Sequence, residues 1–449
     1  MTIDRRSLIT AGIGVTLTAA ASHNATAGSR TRATPVHAAY TPAAELGLDP
    51  SGTADQTAAL QKAIDRAHVE SRPLLLPPGR FVTGPLRLAP GTRLVGSGQT
   101  TLVLAAEGSL LSARGVAGLV LTDLWLEATA ASGPILALKD CAGVDLSRLD
   151  VDGGGADGIN LERVTGRIEH CRIARARHGA IHSVDARGLT IASNEITACG
   201  DNGILVWRSS AGHDGTLVTG NRIARIAAES GGSGQNGNGI NVFRAGSVTV
   251  SGNSITDCAY SAIRGNAASN LLVSGNSCAG LGEVAIYAEF GFEGAVVTSN
   301  SIDTAASGIA ITNFDQGGRL AVVQGNLVRN LFRREHEAID TRGHGITVEA
   351  DAAVSGNTIE GAPSAGLMIG WGPFMRDVAA TGNVIRASKI GILISADARA
   401  GACLVTGNLI SGATDGAIRA MEHGRPVGPD LAQTPGGSDR LVVAGNMAV

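Results

Sequence analysis

The chain has 449 residues, of which 62 are glycine and only 3% are aromatic, and its formal net charge is −3. A hydrophobic content of 44% excludes an intrinsically disordered chain, and abundant glycine with few aromatic residues is typical of a protein built from many tight turns. Charges of both signs are scattered along the chain, which excludes the electrostatic pattern of a nucleic-acid or anionic-membrane binder.

The first residues predict an export signal. Asp4-Arg5-Arg6-Ser7-Leu8-Ile9 precedes an apolar stretch that runs to Ala21, and Ala25-Thr26-Ala27 is a cleavage pattern. We therefore expect a twin-arginine signal peptide over residues 1–27, contact with the twin-arginine export machinery and a periplasmic or secreted product. The alternative is a membrane anchor, for which the stretch is short and weakly hydrophobic. No later segment has spanning length, so the mature chain is predicted to lack a membrane span.

The six cysteines are predicted to be buried thiols. The twin-arginine route exports folded proteins, so packing is settled in a reducing compartment. Cys199 and Cys258 share a repeat position but are separated by one whole coil, about 10 Å at strand spacing, which is beyond disulfide reach.

A short phrase recurs from the middle of the chain to its end: a small residue, an asparagine, any residue and an aliphatic residue. Successive copies are 23 to 27 residues apart except for three gaps of 32, 31 and 38 residues. A repeat period in the twenties predicts a solenoid. The asparagines of the phrase are Asn194, Asn221, Asn253, Asn276, Asn300, Asn326, Asn357, Asn383, Asn408 and Asn446.

A second phrase in each repeat predicts short strands. Gly158-Ile159-Asn160-Leu161 and Gly239-Ile240-Asn241-Val242 alternate apolar and polar residues, as a strand with one buried side does. Leucine-rich repeats share the period, but they require a leucine frame and a helical arc that this sequence lacks. We therefore predict an all-β, right-handed parallel β-helix, in which the asparagines form a structural ladder along a turn.

The domain boundaries follow from these patterns. We expect a flexible leader over residues 28–51 and one β-helix domain over 52–449. A helix at about 54–70 is predicted to begin at a capping box, Thr53-Ala54-Asp55-Gln56, and to plug the N-terminal end of coils at about 74–449.

The stretch from Gly52 to Gly98 resembles the opening of the pectate-lyase and polygalacturonase-like β-helix superfamily. The similarity rests on a helix, a Leu76-Pro77-Pro78-Gly79 turn and a Leu94-Val95-Gly96-Ser97-Gly98 strand. With the arginine pair and the Gly-Asn repeats, nearly the entire chain resembles the twin-arginine-translocated repeat proteins, a bacterial family of uncharacterised activity. This resemblance implies the fold and export, and by analogy of fold a carbohydrate substrate.

Alignment of the Gly/Ala-Ile phrases places equivalent residues of successive coils in columns about 4.8 Å apart. Polar and aromatic residues concentrate in these outward columns between Asp157 and Phe290, as a glycan groove requires. The catalytic candidates are His178, His182, Asp201, Arg264 and Glu283. The substrate-binding candidates are Asp157, Asn160, Asn202, Trp207, Asn238, Asn241, Phe243, Tyr260, Tyr287 and Glu289.

Two neighbour relations give these residues roles. His178 and Asp201 are one coil apart and are expected to form an orienting pair for proton transfer. Arg264 beside Tyr287 suits abstraction of the proton next to a uronate carboxyl group. Insertions at about 228–237 and 331–342 precede the same strand and are expected to overhang one edge of the groove.

Two other motifs in the sequence suggest a specific chemistry. Gly343-His344-Gly345 matches one polygalacturonase element, but the companion motifs of those enzymes are missing, so an authentic polygalacturonase is not expected. Asp150, Asp152 and Asp157 are compatible with Ca²⁺, but a single glycine-rich acidic turn is more often only a turn. No metal ligand is therefore predicted, and the cofactor remains unknown.

Two functions remain open at this stage. The first is a lyase, hydrolase or epimerase acting on an anionic polysaccharide along the side groove. The second is a non-catalytic glycan-binding or cell-envelope scaffold protein that uses the same face. The sequence also shows no cap for the C-terminal end of the solenoid, where the stretch from Gly424 to Asp439 precedes one last strand.

Overall fold

The computed structural model describes residues 41–42, 47–128, 133–232, 234–334, 343–433 and 439–449. The predicted signal peptide at residues 1–27 lies outside these ranges. Within them, strands that are successive along the chain belong to different faces, and each pairs in parallel with the equivalent strand one coil later. The repeat therefore forms a parallel β-helix with three faces.

Face one contains the strands that follow the Gly/Ala-Ile phrase. These strands are Leu86–Arg87, Leu111–Arg114, Leu136–Lys139, Ile159–Glu162, Gly179–Val184, Asn202–His213, Asn238–Gly246, Ile263–Asn266, His344–Val348, Ala365–Ile369, Ile390–Ser395 and Ile418–Glu422. Two longer strands, Ser277–Glu289 and Ser301–Ile311, turn the corner from face three into face one.

Face two follows face one along the chain. Its strands are Thr41–Pro42, Leu74–Leu75, Val144–Ser147, Gly166–Glu169, Thr190–Ala192, Leu217–Thr219, Thr249–Ser251, Leu271–Ser274, Glu293–Thr298, Arg319–Gln324, Ala350–Ser355, Arg376–Thr381, Cys403–Thr406 and Leu441–Ala444. Two further strands, Arg93–Leu104 and Val120–Ala128, continue from face two into face three. A short 3₁₀ helix, Phe314–Gln316, precedes one of the face-two strands.

Face three closes each coil. Its strands are Ser51–Asp55, Gly79–Thr83, Asp150–Gly153, Arg172–Ala174, Glu195–Thr197, Arg222–Ile226, Ser254–Cys258, Leu327–Arg329, Thr358–Glu360, Val384–Arg386, Leu409–Ser411 and Met447–Ala448.

The core is a set of aliphatic columns, one side chain per coil. In face one the inward residues pair in register from coil to coil, and each is at most 1% exposed. Burying each such side chain contributes about 1.5–3 kcal/mol. This column contains Ile159, Ile181, Ile204, Ile240, Ile263, Ile286, Ile309, Ile346, Leu367, Ile392 and Ile418.

The repeated asparagines form a buried ladder at the turn between faces two and three. Asn276 Oδ1 accepts hydrogen bonds of 3.0 Å from both the backbone N and Nδ2 of Asn253. Its own Nδ2 donates to Asn300 Oδ1 at 2.9 Å and to the Val250 carbonyl at 3.0 Å. The preceding Gly275 has a φ of +65°, which glycine adopts without strain. The prediction of a structural ladder is confirmed.

One α-helix, Thr57–Val69, packs Leu60, Ala63, Ile64 and Ala67 into the core. The predicted capping box is wrong, because Thr53 and Asp55 belong to the strand Ser51–Asp55 and Gln56 occupies the cap position without a side-chain cap hydrogen bond. No helix in the described part of the chain is long and apolar enough to cross a membrane.

The six cysteines are all buried free thiols, which confirms their predicted packing role. Ala227 N donates to the Cys199 carbonyl, and Ile226 pairs in register with Cys258, so one coil separates the two cysteines. Burial raises the pKa of Cys199 to about 12, which keeps that thiol protonated and unreactive.

The C-terminal end of face one has a cap that the sequence did not reveal. Arg425–Asp430 forms a hairpin with Ile418–Glu422 and pairs with it antiparallel. The Asp430 carboxylate accepts hydrogen bonds from Ala417 N at 2.7 Å and Ile418 N at 3.1 Å. The parallel stacking of face one therefore ends at an antiparallel strand.

Candidate functional site

The outward columns of face one align as the sequence predicts. The first column runs through Asn160, His182, Leu205, Asn241, Arg264 and Tyr287. The second runs through Glu162, Val184, Trp207, Phe243, Asn266 and Glu289. Neighbours in each column belong to successive coils, about 4.8 Å apart.

Asp157 and His182 form a carboxylate–imidazole pair on this face. Asp157 Oδ2 lies 3.0 Å from His182 Nδ1 and accepts a 2.8 Å hydrogen bond from Asn160 Nδ2. Asp157 Oδ1 accepts a 3.0 Å hydrogen bond from Gly179 N. Burial opposes ionisation of Asp157, but these hydrogen bonds, with that of His182 the largest, lower its pKa below the usual value.

An ionised carboxylate at Nδ1 holds the proton of a neutral imidazole on that nitrogen and leaves Nε2 as the basic atom. His182 Nε2 has no hydrogen-bond partner among the described residues and is shielded from solvent. The sequence named both His182 and Asp157, but it did not pair them.

Aromatic rings continue from His182 along face one. The Trp207 ring meets the His182 ring edge-to-face with centroids 5.0 Å apart, and the Phe243 ring lies 5.6 Å from Trp207. Trp207 Nε1 donates to Asn241 Oδ1 at 3.3 Å, which fixes the orientation of the indole. The Arg244 guanidinium lies 4.6 Å from the Phe243 centroid. The side chains of His182, Trp207, Phe243 and Arg244 therefore form one packed strip.

Arg264 is the centre of a buried ion-pair cluster. Its Nε and second terminal nitrogen donate to the two oxygens of Glu289 at 2.7 and 2.9 Å, and its other terminal nitrogen donates to Glu283 at 3.2 Å. Asn266 Nδ2 donates to Glu289 at 3.0 Å, and the Tyr287 ring centroid lies 5.1 Å from the guanidinium. Burial opposes the charge of Arg264, but the hydrogen bonds to Glu289 raise its pKa.

Arg264 lies beside Tyr287 as predicted, but the cluster around it is buried. Arg264, Glu283 and Glu289 are 8%, 5% and 2% exposed. The backbone of Gly234 lies against Arg264 so closely that a Cβ on the glycine would be 1.9 Å from the guanidinium. The guanidinium is thus held by protein carboxylates beneath the insertion.

The expected pair of His178 and Asp201 is not formed. The Asp201 carboxylate accepts hydrogen bonds from Ser230 N at 2.8 Å and Ser230 Oγ at 2.7 Å, so it anchors the 228–237 insertion. Asp201 meets His178 only through the backbone, where Asp201 N donates to the His178 carbonyl at 3.0 Å. The His178 side chain is exposed.

Asn202 and Asn238 form a second, shorter amide ladder. Asn202 Oδ1 accepts hydrogen bonds from Asn238 N at 3.1 Å and Asn238 Nδ2 at 3.2 Å, and Asn238 Nδ2 also donates to the Gly234 carbonyl at 2.9 Å. Both residues are at most 3% exposed. Their amides hold the insertion to the coil.

Tyr260 links both insertions. Its hydroxyl donates to the Gly232 carbonyl at 3.1 Å in the first insertion. The Arg334 guanidinium of the second insertion lies 5.6 Å from the Tyr260 ring centroid and donates to the Gly282 carbonyl at 2.9 Å. The two insertions therefore meet at one edge of face one, as predicted. Residues 335–342 of the second insertion lie outside the described ranges.

A basic groove of about 550 Å³ lies on the first coils of face one. Its floor is a column of mostly small side chains that pair in register, Ser112, Ala137 and Asn160. Three cations and one acid stand around this floor. They are Arg87, Arg114, Lys139 and Glu162.

The three cations of this groove were not predicted from the sequence, because the aligned columns of polar residues began at Asp157. The sequence nevertheless contains the signal, because the same alternation of inward and outward residues occurs in three earlier coils. The strands concerned are Leu86–Arg87, Leu111–Arg114 and Leu136–Lys139. Asn160 joins the groove to the Asp157–His182 pair, because it lines the first and donates to the second. The groove and the pair therefore form one continuous candidate site.

Glu349 is another ionisable residue that sequence patterns did not single out. Burial raises the pKa of its carboxyl group to about 7. One carboxyl oxygen accepts a 2.7 Å hydrogen bond from Phe314 N, which ties Glu349 to the 3₁₀ turn Phe314–Gln316. Its contacts are with this turn, and it does not line the basic groove.

The three aspartates that the sequence offers as Ca²⁺ ligands do not form one site in the structure. Asp157 binds His182 on face one, whereas Asp150 and Asp152 belong to a face-three strand and pair with arginines. Over the described ranges no group of three or more His, Cys, Asp or Glu side chains is placed to hold a metal ion.

Two family models match the sequence. One, described as rhamnogalacturonase A/epimerase, pectate lyase-like, matches residues 41–264, and the other, a right-handed β-helix region, matches residues 212–385. The chain has the pectate-lyase-like, right-handed parallel β-helix fold. No curated protein matches the sequence of this β-helix.

Several solved structures are similar to this β-helix. PfbA, a surface adhesin of Streptococcus pneumoniae, is 14% identical, with a TM-score of 0.49 over 91% of this chain and 99% of the adhesin. A PL6 alginate lyase is 13% identical, with a TM-score of 0.48 over 91% and 95% of the two chains. An exopolygalacturonase from Thermotoga maritima is 11% identical, with a TM-score of 0.42 over 85% and 90%.

Proposed function

We propose that this chain is an exported protein that binds an anionic polysaccharide along face one. The basic groove carries the proposal. Arg87, Arg114 and Lys139 surround a floor of small side chains, and Glu162 is the one acid among the described residues that line the groove. The cations outnumber the acid in the lining, although Lys139 pairs with Glu162. A cleft with an excess of one charge attracts chains of the opposite sign, and its open shape suits a polymer.

Two further observations support this proposal. The family model described as rhamnogalacturonase A/epimerase, pectate lyase-like covers residues 41–264, a range that contains both the groove and the Asp157–His182 pair. The Arg5-Arg6 signal supports export, and with the Gly-Asn repeats it supports membership of the twin-arginine-translocated repeat proteins.

The groove predicts a specific loss of binding. The triple variant Arg87→Ala/Arg114→Ala/Lys139→Ala is expected to weaken binding to polygalacturonate or alginate about 10-fold, because three exposed ionic contacts are removed. Affinity gel electrophoresis of the mature protein measures this change. Wild-type binding should also weaken at about 1 M salt, where the Debye length is about 3 Å.

The matched control removes three exposed arginines from other parts of the surface. Arg329, Arg386 and Arg399 have side chains that are 50%, 61% and 73% exposed. Their triple alanine variant should bind the polyuronate as wild type does. Equal losses in the two triple variants would mean that general charge, and not this groove, attracts the glycan.

Catalysis on the same glycan is a second candidate function, favoured by the Asp157–His182 pair beside the groove. An imidazole whose Nδ1 is held by a carboxylate suits abstraction of the proton next to a uronate carboxyl group, the step with which lyases and epimerases begin. Glycoside hydrolysis uses a pair of carboxylates. In this site the Asp157 carboxylate is occupied by His182, Asn160 and Gly179, and Glu162 is the one acid among the described residues that line the groove. Because Nε2 is shielded, the substrate must displace a neighbouring side chain to reach it.

His182→Gln tests this second function. If wild type forms unsaturated uronate or epimerised product, the variant should lower the rate at least about 100-fold, the usual contribution of a general base. Product absorbance and nuclear magnetic resonance follow the two reactions. His178→Gln is the control, since His178 is exposed on the same face and has no side-chain contact with Asp201. Unchanged turnover in His182→Gln would exclude His182 as the base.

A further inference from the structure

Face three carries a pocket that is separate from the groove on face one. Its centre is an outward column in which Trp125, Asp150, Arg172 and Glu195 pair in register on four successive coils. The pocket has a volume of about 260 Å³. Its remaining polar lining includes Glu127, Asp152 and Thr197 of the next outward column, and Arg175, which follows Ala174 of that column.

Trp125 presents its ring to solvent at this pocket. It pairs in register with Asp150 on the next coil, and it is 46% exposed. An exposed indole leaves a large apolar surface in water, so a flat and apolar ring face is available at the pocket. This is the arrangement that packs against the apolar side of a pyranose ring.

The polar rim consists of carboxylates that are already oriented by arginines. Arg172 Nε lies 3.5 Å from Asp150 and 3.8 Å from Glu195, so it stands between the two acids. Asp152 pairs with Arg175 through one oxygen, and its other oxygen is buried with no hydrogen-bond partner. Fixed carboxylates of this kind accept hydrogen bonds from pairs of neighbouring hydroxyl groups.

The charge at this pocket differs from that of the groove on face one. The acids are Glu127, Asp150, Asp152 and Glu195, and the cations are Arg172, Arg175 and Arg80, which pairs with Glu127 at 2.9 Å. The rim is therefore nearly neutral and slightly acidic. A polyanion gains nothing from such a rim, whereas a neutral sugar needs only the ring face and the hydroxyl acceptors.

We infer that face three contains a second glycan-binding site, in which Trp125 stacks on a neutral pyranose and the Asp150 and Glu195 carboxylates bind its hydroxyl groups. The site does not depend on the proposed function, since it shares no residue with the basic groove. Together with the groove proposed on face one, it would give the β-helix two glycan sites of different charge on two faces.

Tryptophan fluorescence of the full-length protein tests the site. The probes are the neutral disaccharides cellobiose, maltose, mannobiose and galactobiose, with digalacturonate as the anionic comparison. At least one neutral disaccharide should produce a saturable change with a Kd of about 1 mM or below. Both Trp125 variants lack the reporting indole, so isothermal titration calorimetry follows their binding. Trp125→Ala should abolish binding, whereas Trp125→Phe, which keeps an aromatic ring, should bind within about 10-fold of wild type.

Two controls assign the signal. Trp207→Phe and Trp371→Phe remove the other two indoles and should leave the change in place. The groove variant Arg87→Ala/Arg114→Ala/Lys139→Ala should bind the neutral disaccharide normally, so failure of the face-one proposal leaves this result untouched. Any of three results would overturn the inference. These results are binding that persists in Trp125→Ala, saturation by digalacturonate alone, and no saturation by any neutral disaccharide.

Discussion

Arg264→Ala is expected to lower the free energy of unfolding by about 3–5 kcal/mol, the usual effect of removing one partner of a buried ion pair. The guanidinium is 8% exposed and binds both oxygens of Glu289 and one oxygen of Glu283. Its removal leaves two carboxylates, 2% and 5% exposed, without their shared cation. Urea unfolding followed by circular dichroism measures the loss.

Two further variants separate a structural role from a substrate-binding one. Arg264→Met/Glu283→Gln/Glu289→Gln leaves no buried charge in the cluster and should recover most of the lost stability. Arg329→Ala breaks an exposed pair with Asp303 and should cost less than about 1 kcal/mol. If Arg264→Ala instead unfolds like wild type but no longer binds polyuronate, Arg264 contacts the substrate, as the sequence alone indicated.

The coils were predictable because their determinants are local and repeated. The alternation around Ile159 or Ile240 identifies an inward side chain in each copy, and the phrase containing Asn276 identifies a turn. Once one coil has this form, the next copy must stack on it to bury the same face. Register therefore followed from the period, and the columns of face one agree with the structure.

The start of the helix was not predictable from its local signal. Thr53-Ala54-Asp55-Gln56 has the spacing of a capping box, but Ser51–Asp55 pairs with the strand Gly79–Thr83 one coil later. This pairing to a distant segment holds Thr53 and Asp55 in a strand. The helix therefore begins after them, and the Asp55 carboxylate accepts a 2.9 Å hydrogen bond from Thr57 N.

The sequence predicted which residues of the site are neighbours, but it did not predict which of them are buried. The columns correctly placed Arg264 near Tyr287, and they placed His182 in the coil next to Asp157. The alignment of a column does not predict whether an insertion covers its side chains. The insertion that contains Ser230 and Gly234 folds over face one. Ser230 binds the Asp201 carboxylate, and Gly234 covers Arg264.

Asn276→Ala is expected to lower the free energy of unfolding by about 2–4 kcal/mol, because it removes four buried hydrogen bonds and leaves a buried backbone donor unsatisfied. The orphaned donor is the Asn253 N–H, which now bonds to Asn276 Oδ1 at 3.0 Å. The Val250 carbonyl also loses its 3.0 Å bond from Asn276 Nδ2. Denaturant unfolding of the two proteins measures the difference.

Asn446→Ala is the matched control, because it makes the same substitution at the last rung of the ladder. Asn446 bonds to Asn408 as the other rungs do, but it is partly exposed, so water can replace its amide. Its loss should stay below about 1 kcal/mol. A structural ladder requires this contrast between an inner and a terminal rung, and equal effects of the two substitutions would contradict it.

Asn276→Asp gives a sharper test of the same rung. It keeps the acceptor for Asn253, but it presents an oxygen where Asn300 Oδ1 and the Val250 carbonyl need a donor. It should therefore destabilise the protein as strongly as alanine does.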